Sequence, residues 1–171
     1  MNILKELELP YQCRTSKSSV YGFWVAHQEG ELEFCAEYQR SYVWTHKEQQ
    51  AMLHTFLSRL PMQMISLTTS SKAKKYMIIV DGKQRLTTLI MFLENKIPFL
   101  HKGKEIFWRD IDKTTQRILT KQSLPSIELY CHDGSDVSIE AQIHYFMRIN
   151  FTGVPQSKEH QKYLESLIES K

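Results

Sequence analysis

The sequence predicts an α/β (α+β) fold, one domain with a small mixed sheet flanked by helices. Three observations lead there. Segments of helical period alternate along the chain with short strand-like runs, the pattern of layered α/β architectures. The 171 residues are the length of one ordinary domain, and the 6 glycines and 5 prolines are too scattered to mark a linker. A nearly continuous apolar run, Tyr76-Met77-Ile78-Ile79-Val80, reads as a buried strand that meets a turn signal, Asp81-Gly82. The whole of 1–171 is therefore expected to form a single domain.

The elements follow in order. Ser16 to Gln28 reads as a first helix stopped by Gly30, and Leu32 to Phe34 as a short strand. Thr45 and Glu48 form a capping-box pattern at a helix start, because the hydroxyl and the carboxylate can each accept from an unpartnered backbone N–H. Met52, Leu53, Phe56, Leu57 and Leu60 repeat at helical spacing behind it, and Pro61 fits the end. Met64 to Leu67 is a strand, and polar Thr68 to Lys75 a hairpin or crossover loop. After the Tyr76–Val80 strand, Leu86, Leu89, Ile90 and Leu93 share one helical face. Ile106 to Trp108 is a short strand, Asp112 caps a helix through Thr120, and Ser126 to Tyr130 is a strand. Val137 to Ile149 is helical, and an Asn150–Pro155 loop precedes a last amphipathic helix, Ser157 to Ile168.

Composition narrows the function classes. Hydrophobic residues make up 42% and charged residues 24%, which is globular composition. A net charge of +3 is too small to argue for nucleic acid by itself. Cys13, Cys35 and Cys131 are odd in number and lack ligand spacing, so a reducing compartment is expected and a disulfide framework is not. The amino terminus lacks a long apolar h-region, and no apolar run is long enough to span a bilayer. The expected location is cytoplasmic, with no membrane partner.

The segment Val80-Asp81-Gly82-Lys83-Gln84-Arg85-Leu86-Thr87-Thr88-Leu89 is the most informative. A buried strand ends, the chain turns at a glycine, and a helix begins. The first turn of a helix has unpartnered N–H groups and a positive dipole end, where anions bind. Gly82 permits close approach. Arg85 can grip a phosphate through two parallel hydrogen bonds, and a first-turn arginine is expected to be exposed. Lys83 adds a point charge, Thr87 and Thr88 offer hydroxyls, and Asp81 can hold a metal ion or act as a base. The alternative is a plain strand–turn–helix with a solvated arginine. The spacing fits neither a P-loop nor a dinucleotide fingerprint.

This segment resembles the Asp-Gly-Gln-Gln-Arg signature of the N-terminal domain of GmrSD-type modification-dependent restriction systems, within the ParB/sulfiredoxin superfamily. Glu37-Tyr38-Gln39-Arg40-Ser41-Tyr42-Val43-Trp44 resembles the family's Tyr-Gln-Arg-x-Tyr-x-Trp block. Phe146-Met147-Arg148-Ile149-Asn150-Phe151-Thr152-Gly153-Val154-Pro155 resembles its Asn-x-Thr-Gly block. The three blocks stand in the family's order and span about Gly30 to Ser157. Lys83 replaces the more usual Gln, and Gln156 stands where Leu is frequent.

The resemblance implies a ParB/sulfiredoxin-like fold and a nucleotide-handling module. Family members are described as nucleoside-triphosphatases that control DNA cleavage in restriction and phage defence. The superfamily includes CTP-binding partition proteins, ATP-using sulfiredoxins and small-molecule kinases. On this chain the implied catalytic residues are Asp81, Gln84 and Arg85. The implied nucleotide-binding set is Gln39, Arg40, Gly82, Lys83, Gln84, Arg85, Thr87, Thr88 and Asn150. Asp81 is the candidate ligand of Mg²⁺, and the cofactor is a nucleoside triphosphate with Mg²⁺. Tyr38, Tyr42 or Trp44 can stack on a ring; for Tyr42 and Trp44, packing against the core is the favoured alternative. Asn150, Thr152 and Gly153 also suit a helix C-terminal cap.

Other signals carry less. The seven histidines form no ligand cluster, and Cys131-His132-Asp133 reads as a strand end entering the Asp133-Gly134 turn. Lys72 to Lys75 is a basic loop, solvated or in contact with nucleic acid. Three functions remain. The first is an NTP-hydrolysing enzyme. The second is a regulatory or inhibitory module without turnover, whose partners are a nucleotide, nucleic acid, a nuclease subunit or another defence protein. The third is direct DNA cutting, disfavoured by the missing carboxylate cluster. Hydrolysis would be favoured by a second acid facing Asp81, with Glu37 and Asp133 as candidates. A homodimer is compatible with the sequence.

Overall fold

The structure is a computed structural model that describes residues 9–34, 38–70, 76–151, 162–163 and 165–167. Its elements are β1 (Gln12–Ser19), α1 (Val20–Gln28), β2 (Leu32–Phe34), α2 (His46–Leu57), β3 (Ile65–Thr69), β4 (Met77–Asp81), α3 (Lys83–Leu93), β5 (Phe99–His101), β6 (Lys104–Ile106), a 3₁₀ turn (Trp108–Asp110), α4 (Lys113–Thr120), β7 (Ser123–Tyr130) and α5 (Ile139–Phe151). The α/β class expected from the sequence is the class observed.

Five strands form one mixed sheet in the order β1-β7-β3-β4-β2, and β5 and β6 form a separate hairpin. β1 runs antiparallel to β7, β7 parallel to β3, β3 antiparallel to β4, and β4 parallel to β2. Strand alternation sorts the side chains between two cores. Ile65, Leu67, Ile79 and Leu124 face Phe23, Leu53, Phe56, Leu89 and Phe92 from α1, α2 and α3. Val80 and Leu129 join Tyr38, Ile143 and Phe146 in a smaller cluster under α5. Ser66, between two residues of the larger core, turns to the α5 side and hydrogen-bonds the Tyr145 hydroxyl at 2.9 Å.

The caps read from the sequence form. Glu48 Oε2 accepts from Thr45 N at 2.7 Å in a complete capping box, and Asp112 Oδ1 accepts from Thr115 N at 3.0 Å. The first helix needs correction. Residues 16–19 belong to β1, and the helix starts at Val20 behind a Ser19 cap whose hydroxyl accepts from Gly22 N at 3.1 Å. β1 is an edge strand of mostly exposed polar residues, so no apolar alternation betrays it. α2 stops at Leu57, one turn early. Arg59 adopts a left-handed φ of 57° and Leu60 is 51% exposed.

The short strand expected at Ile106 to Trp108 is instead the second arm of the β5–β6 hairpin. It turns at Lys102 (φ 50°) and Gly103 (φ 76°), and Trp108 begins the 3₁₀ turn. β3 and β4 pair as an antiparallel hairpin, with Thr68 and Thr69 inside β3. The basic loop residues 72–75, Cys35, Glu37, Thr152 and Gly153 lie outside the described residues, as does most of the expected last helix. Among the described residues no helix is long and apolar enough to cross a membrane.

Candidate functional site

β4 delivers Asp81 to the edge of a cleft, and α3 starts directly behind it. A bulge helps: Ser66 pairs with Asp81 while Leu67 pairs with Ile79, so Val80 is an extra residue in the ladder. Such bulges re-aim the side chains that follow. Gly82 makes the corner at φ 101°, and a Cβ there would lie 2.4 Å from Ile65 Cδ1. The corner is therefore closed to other residues on two counts, backbone conformation and space. Among the described residues no side chain caps the helix start. Its first N–H groups and its positive end are left for water or an anion.

The cleft has a volume of about 120 Å³ and is walled by Gln39, Arg40, Asp81, Lys83, Arg85 and Asn150, with Trp44, Gly82, Gln84 and Phe146. Eight of the residues singled out as catalytic or nucleotide-binding thus meet at one place. Two do not. Thr88 is fully buried, with its hydroxyl on Gln84 O and the Tyr42 hydroxyl, both at 2.8 Å. Thr87 is half-buried and outside the cleft wall. Asn150 lies inside the last turn of α5, where its Nδ2 donates to Phe146 O at 2.9 Å.

The side chains divide into those that build the cleft and those that face it with open capacity. Gln84 is a builder. Its Oε1 accepts from Val43 N at 2.9 Å and Trp44 N at 3.3 Å, and its Nε2 donates to Ser41 O at 3.0 Å. One amide thereby pins the 41–44 segment against the start of α3. Gln39 Nε2 donates to Ile79 O at 2.8 Å and Val80 O at 2.9 Å, tying the Arg40 segment to the end of β4. Its Oε1 is buried and has no hydrogen-bond partner among the described residues.

Arg85 was expected to be exposed; its side chain is only 18% exposed. Its guanidinium pairs with Asp81 Oδ2 at 3.0 Å and donates to Met64 O at 2.8 Å and Gln63 Oε1 at 3.0 Å. Arg85 Nε is buried without a partner among the described residues. The contact of the 61–64 segment with Arg85 was not foreseen, since in sequence the segment reads only as a helix stop at Pro61 and a strand start at Met64. Arg40 and Lys83 are the cleft's two cations with no hydrogen bond or ion pair to a described residue.

The aromatic residues separate too. Tyr38 is fully buried, and its hydroxyl donates to Gln142 Oε1 at 3.1 Å. Tyr42 is held by Thr88. Trp44 alone of the three walls the cleft, and it also lines a neighbouring apolar groove of about 450 Å³ with Met52, Pro61, Met62 and Arg85. Asp133 does not face Asp81. It follows the end of β7, which runs antiparallel to β4 through β3, so the two acids sit at opposite ends of the sheet. Its carboxylate instead closes a local turn with Ser135. Among the described residues no cluster of three or more His, Cys, Asp or Glu could hold a metal.

Comparison with known proteins gives a family and a solved structure. No curated protein matches. The chromosome-partitioning protein ParB from Caulobacter crescentus, C-terminally truncated and complexed with CTP-gamma-S, is similar at a TM-score of 0.44 and 9% identity. The similarity covers 91% of this chain and 65% of that one. The family described as GmrSD restriction endonuclease, N-terminal domain, matches residues 27–163, which takes in all three sequence blocks. The chain belongs to that family.

Proposed function

We propose that the chain binds a nucleoside triphosphate, with its phosphates in the cleft at the start of α3 and its base in the adjoining groove. The carrying observation is the pairing of two open cations, Arg40 and Lys83, with an uncapped helix start. Size supports the division. About 120 Å³ suits phosphate groups, whereas small-molecule sites run to roughly 300–1,000 Å³. The neighbouring groove supplies the remainder, and Trp44 and Arg85 form the wall common to both.

Mg²⁺ is compatible with the residues present. It takes one or two carboxylates together with substrate phosphates and water. Asp81 would supply the carboxylate, and the unpartnered Gln39 Oε1 is a buried acceptor in the same cleft. The ion would neutralise phosphate charge there. Arg85 then has two tasks, holding Asp81 in place and lending its positive charge to the cleft floor. In a restriction-related domain, nucleotide occupancy would control a nuclease partner or a DNA-bound assembly.

A second reading, binding without turnover, has its own observation. Asp81 is the sole carboxylate among the described residues walling the cleft, and one of its oxygens is paired with Arg85. Isothermal titration of the four ribonucleoside triphosphates with and without Mg²⁺ tests the binding claim. Saturable binding is expected in wild type, and loss of it in Lys83→Ala with Arg40→Ala. A phosphate-release assay then separates an enzyme from a switch. Equal affinity in wild type and double variant would remove the proposal.

A further inference from the structure

A second groove, of about 480 Å³, lies between α1, the carboxyl end of α3, the 3₁₀ turn and α4. Its chemistry is one-sided. Tyr21, 54% exposed, and Trp24 stand edge to face on one wall, with ring centroids 6.2 Å apart. Arg109, Lys113 and Arg117 line the groove as well, and none of them forms an ion pair among the described residues. Trp24 Nε1 is buried and has no acceptor among the described residues. Among the described residues no carboxylate lines the groove. The nearby acids are engaged elsewhere: Asp110 and Asp112 accept from Phe107 N and Thr115 N at local caps, and Glu94, between Leu93 and Asn95, accepts from Gln28 Nε2 and pairs with Lys96. Buried Trp108 closes the floor.

The groove therefore presents an exposed aromatic face and three cations. A ligand that answers both is planar and anionic. We propose that this groove holds a single-stranded nucleic-acid segment, with a base stacked on Tyr21 and phosphates on Arg109, Lys113 and Arg117. Aromatic platforms beside a basic track are how single strands are held. An acidic peptide would satisfy the cations but offer the rings nothing to stack. The proposal is independent of the nucleotide reading, because the groove meets α3 at its far end. The helix has 11 residues, which puts the two sites roughly 16 Å apart.

Fluorescence anisotropy of the full chain with labelled oligothymidylate and oligouridylate, about 12 nucleotides long, tests it. Three phosphate contacts predict that log K falls with log salt with a slope of about −2. Tyr21→Ala should weaken binding about 5- to 150-fold, the range of one lost base stack. Arg109→Glu with Arg117→Glu should weaken it further and flatten the salt slope. Both variants should keep the wild-type Tm, since all three side chains are exposed. The tighter of the two oligonucleotides names the strand. No binding overturns the proposal. So does binding that Tyr21→Ala leaves unchanged, which would mark an unspecific cationic surface. A loss caused instead by Lys83→Ala would move the oligonucleotide to the phosphate cleft and equally overturn it.

Discussion

Replacing Gly82 with alanine perturbs the corner on which the whole cleft turns. The backbone there has φ 101°, outside the region open to residues with a side chain. Holding such a conformation costs about 1–3 kcal/mol. The added methyl would also meet Ile65 Cδ1 at 2.4 Å, and Ile65 is only 1% exposed in the main core. Overpacking of that kind costs about a further 1–3 kcal/mol. The sum, about 2–6 kcal/mol, is large beside a total stability of about 5–15 kcal/mol. Urea denaturation followed by circular dichroism measures it, and the two contributions can be separated. Ile65→Val removes the clashing methyl at its own cost of about 0.5–1.5 kcal/mol. Gly82→Ala should then be about 1–3 kcal/mol less damaging in the Ile65→Val background. A Gly82→Ala cost below 1 kcal/mol, or the same cost in both backgrounds, would refute the reasoning.

Three further outcomes are expected. Thr45→Ala opens the capping box of α2 and should cost about 1 kcal/mol, visible as a lower urea midpoint; an unchanged midpoint would deny the cap its role. Tyr42→Phe loses the hydroxyl contact to Thr88, a cost of about 0.5–1.5 kcal/mol, and should leave nucleotide affinity untouched, because Tyr42 braces the fold and does not wall the cleft. Glu128 is kept below the usual carboxylate range chiefly by its hydrogen bond from Arg14, with Thr69 adding to it and burial opposing it. Because the folded value is depressed, its stabilisation is present above the unfolded carboxyl value of about 4.3 and is lost as pH falls through the folded value. The gap in urea midpoint between wild type and Glu128→Gln should therefore narrow from pH 7 to about pH 3. An equal gap at both would contradict that linkage.

The site was more legible in the sequence than the scaffold around it. Asp81-Gly82 announces a corner through turn chemistry, and the apolar run before it announces a buried strand, so the strand–turn–helix needs no tertiary information. The meeting of Gln39, Arg40 and Asn150 with that corner came from block order, not from spacing. Individual roles were less visible. Gln84 and Thr88 offer the hydrogen-bonding groups a ligand needs, but the protein backbone and Tyr42 take them. Arg85 is at the expected place and pairs with Asp81 within the turn, yet its other partners, Gln63 and Met64, come from the 61–64 segment, a contact no local pattern encodes.

The scaffold was missed where burial gives no periodic signal. β1 is a polar edge strand, set by its ladder to β7 and not by its own composition. β7 begins three residues before its apparent start, because Pro125 reads as a breaker yet is tolerated opposite Lys17 of the edge strand. β5 and β6 have three residues each, too few for alternation to show. The groove beside Tyr21 escaped for a related reason. Its residues come from four elements, and the cations are separated in sequence from the aromatic residues they accompany.

The most direct test of the central claim is a backbone amide chemical-shift titration of the full chain with a nucleoside triphosphate and Mg²⁺. The account predicts that the largest shifts cluster at Gln39, Arg40, the 81–85 turn and Asn150, with a second group at Trp44, Met52 and Met62 along the adjoining groove. Shifts confined to other surfaces, or none at a saturating nucleotide concentration, would contradict it.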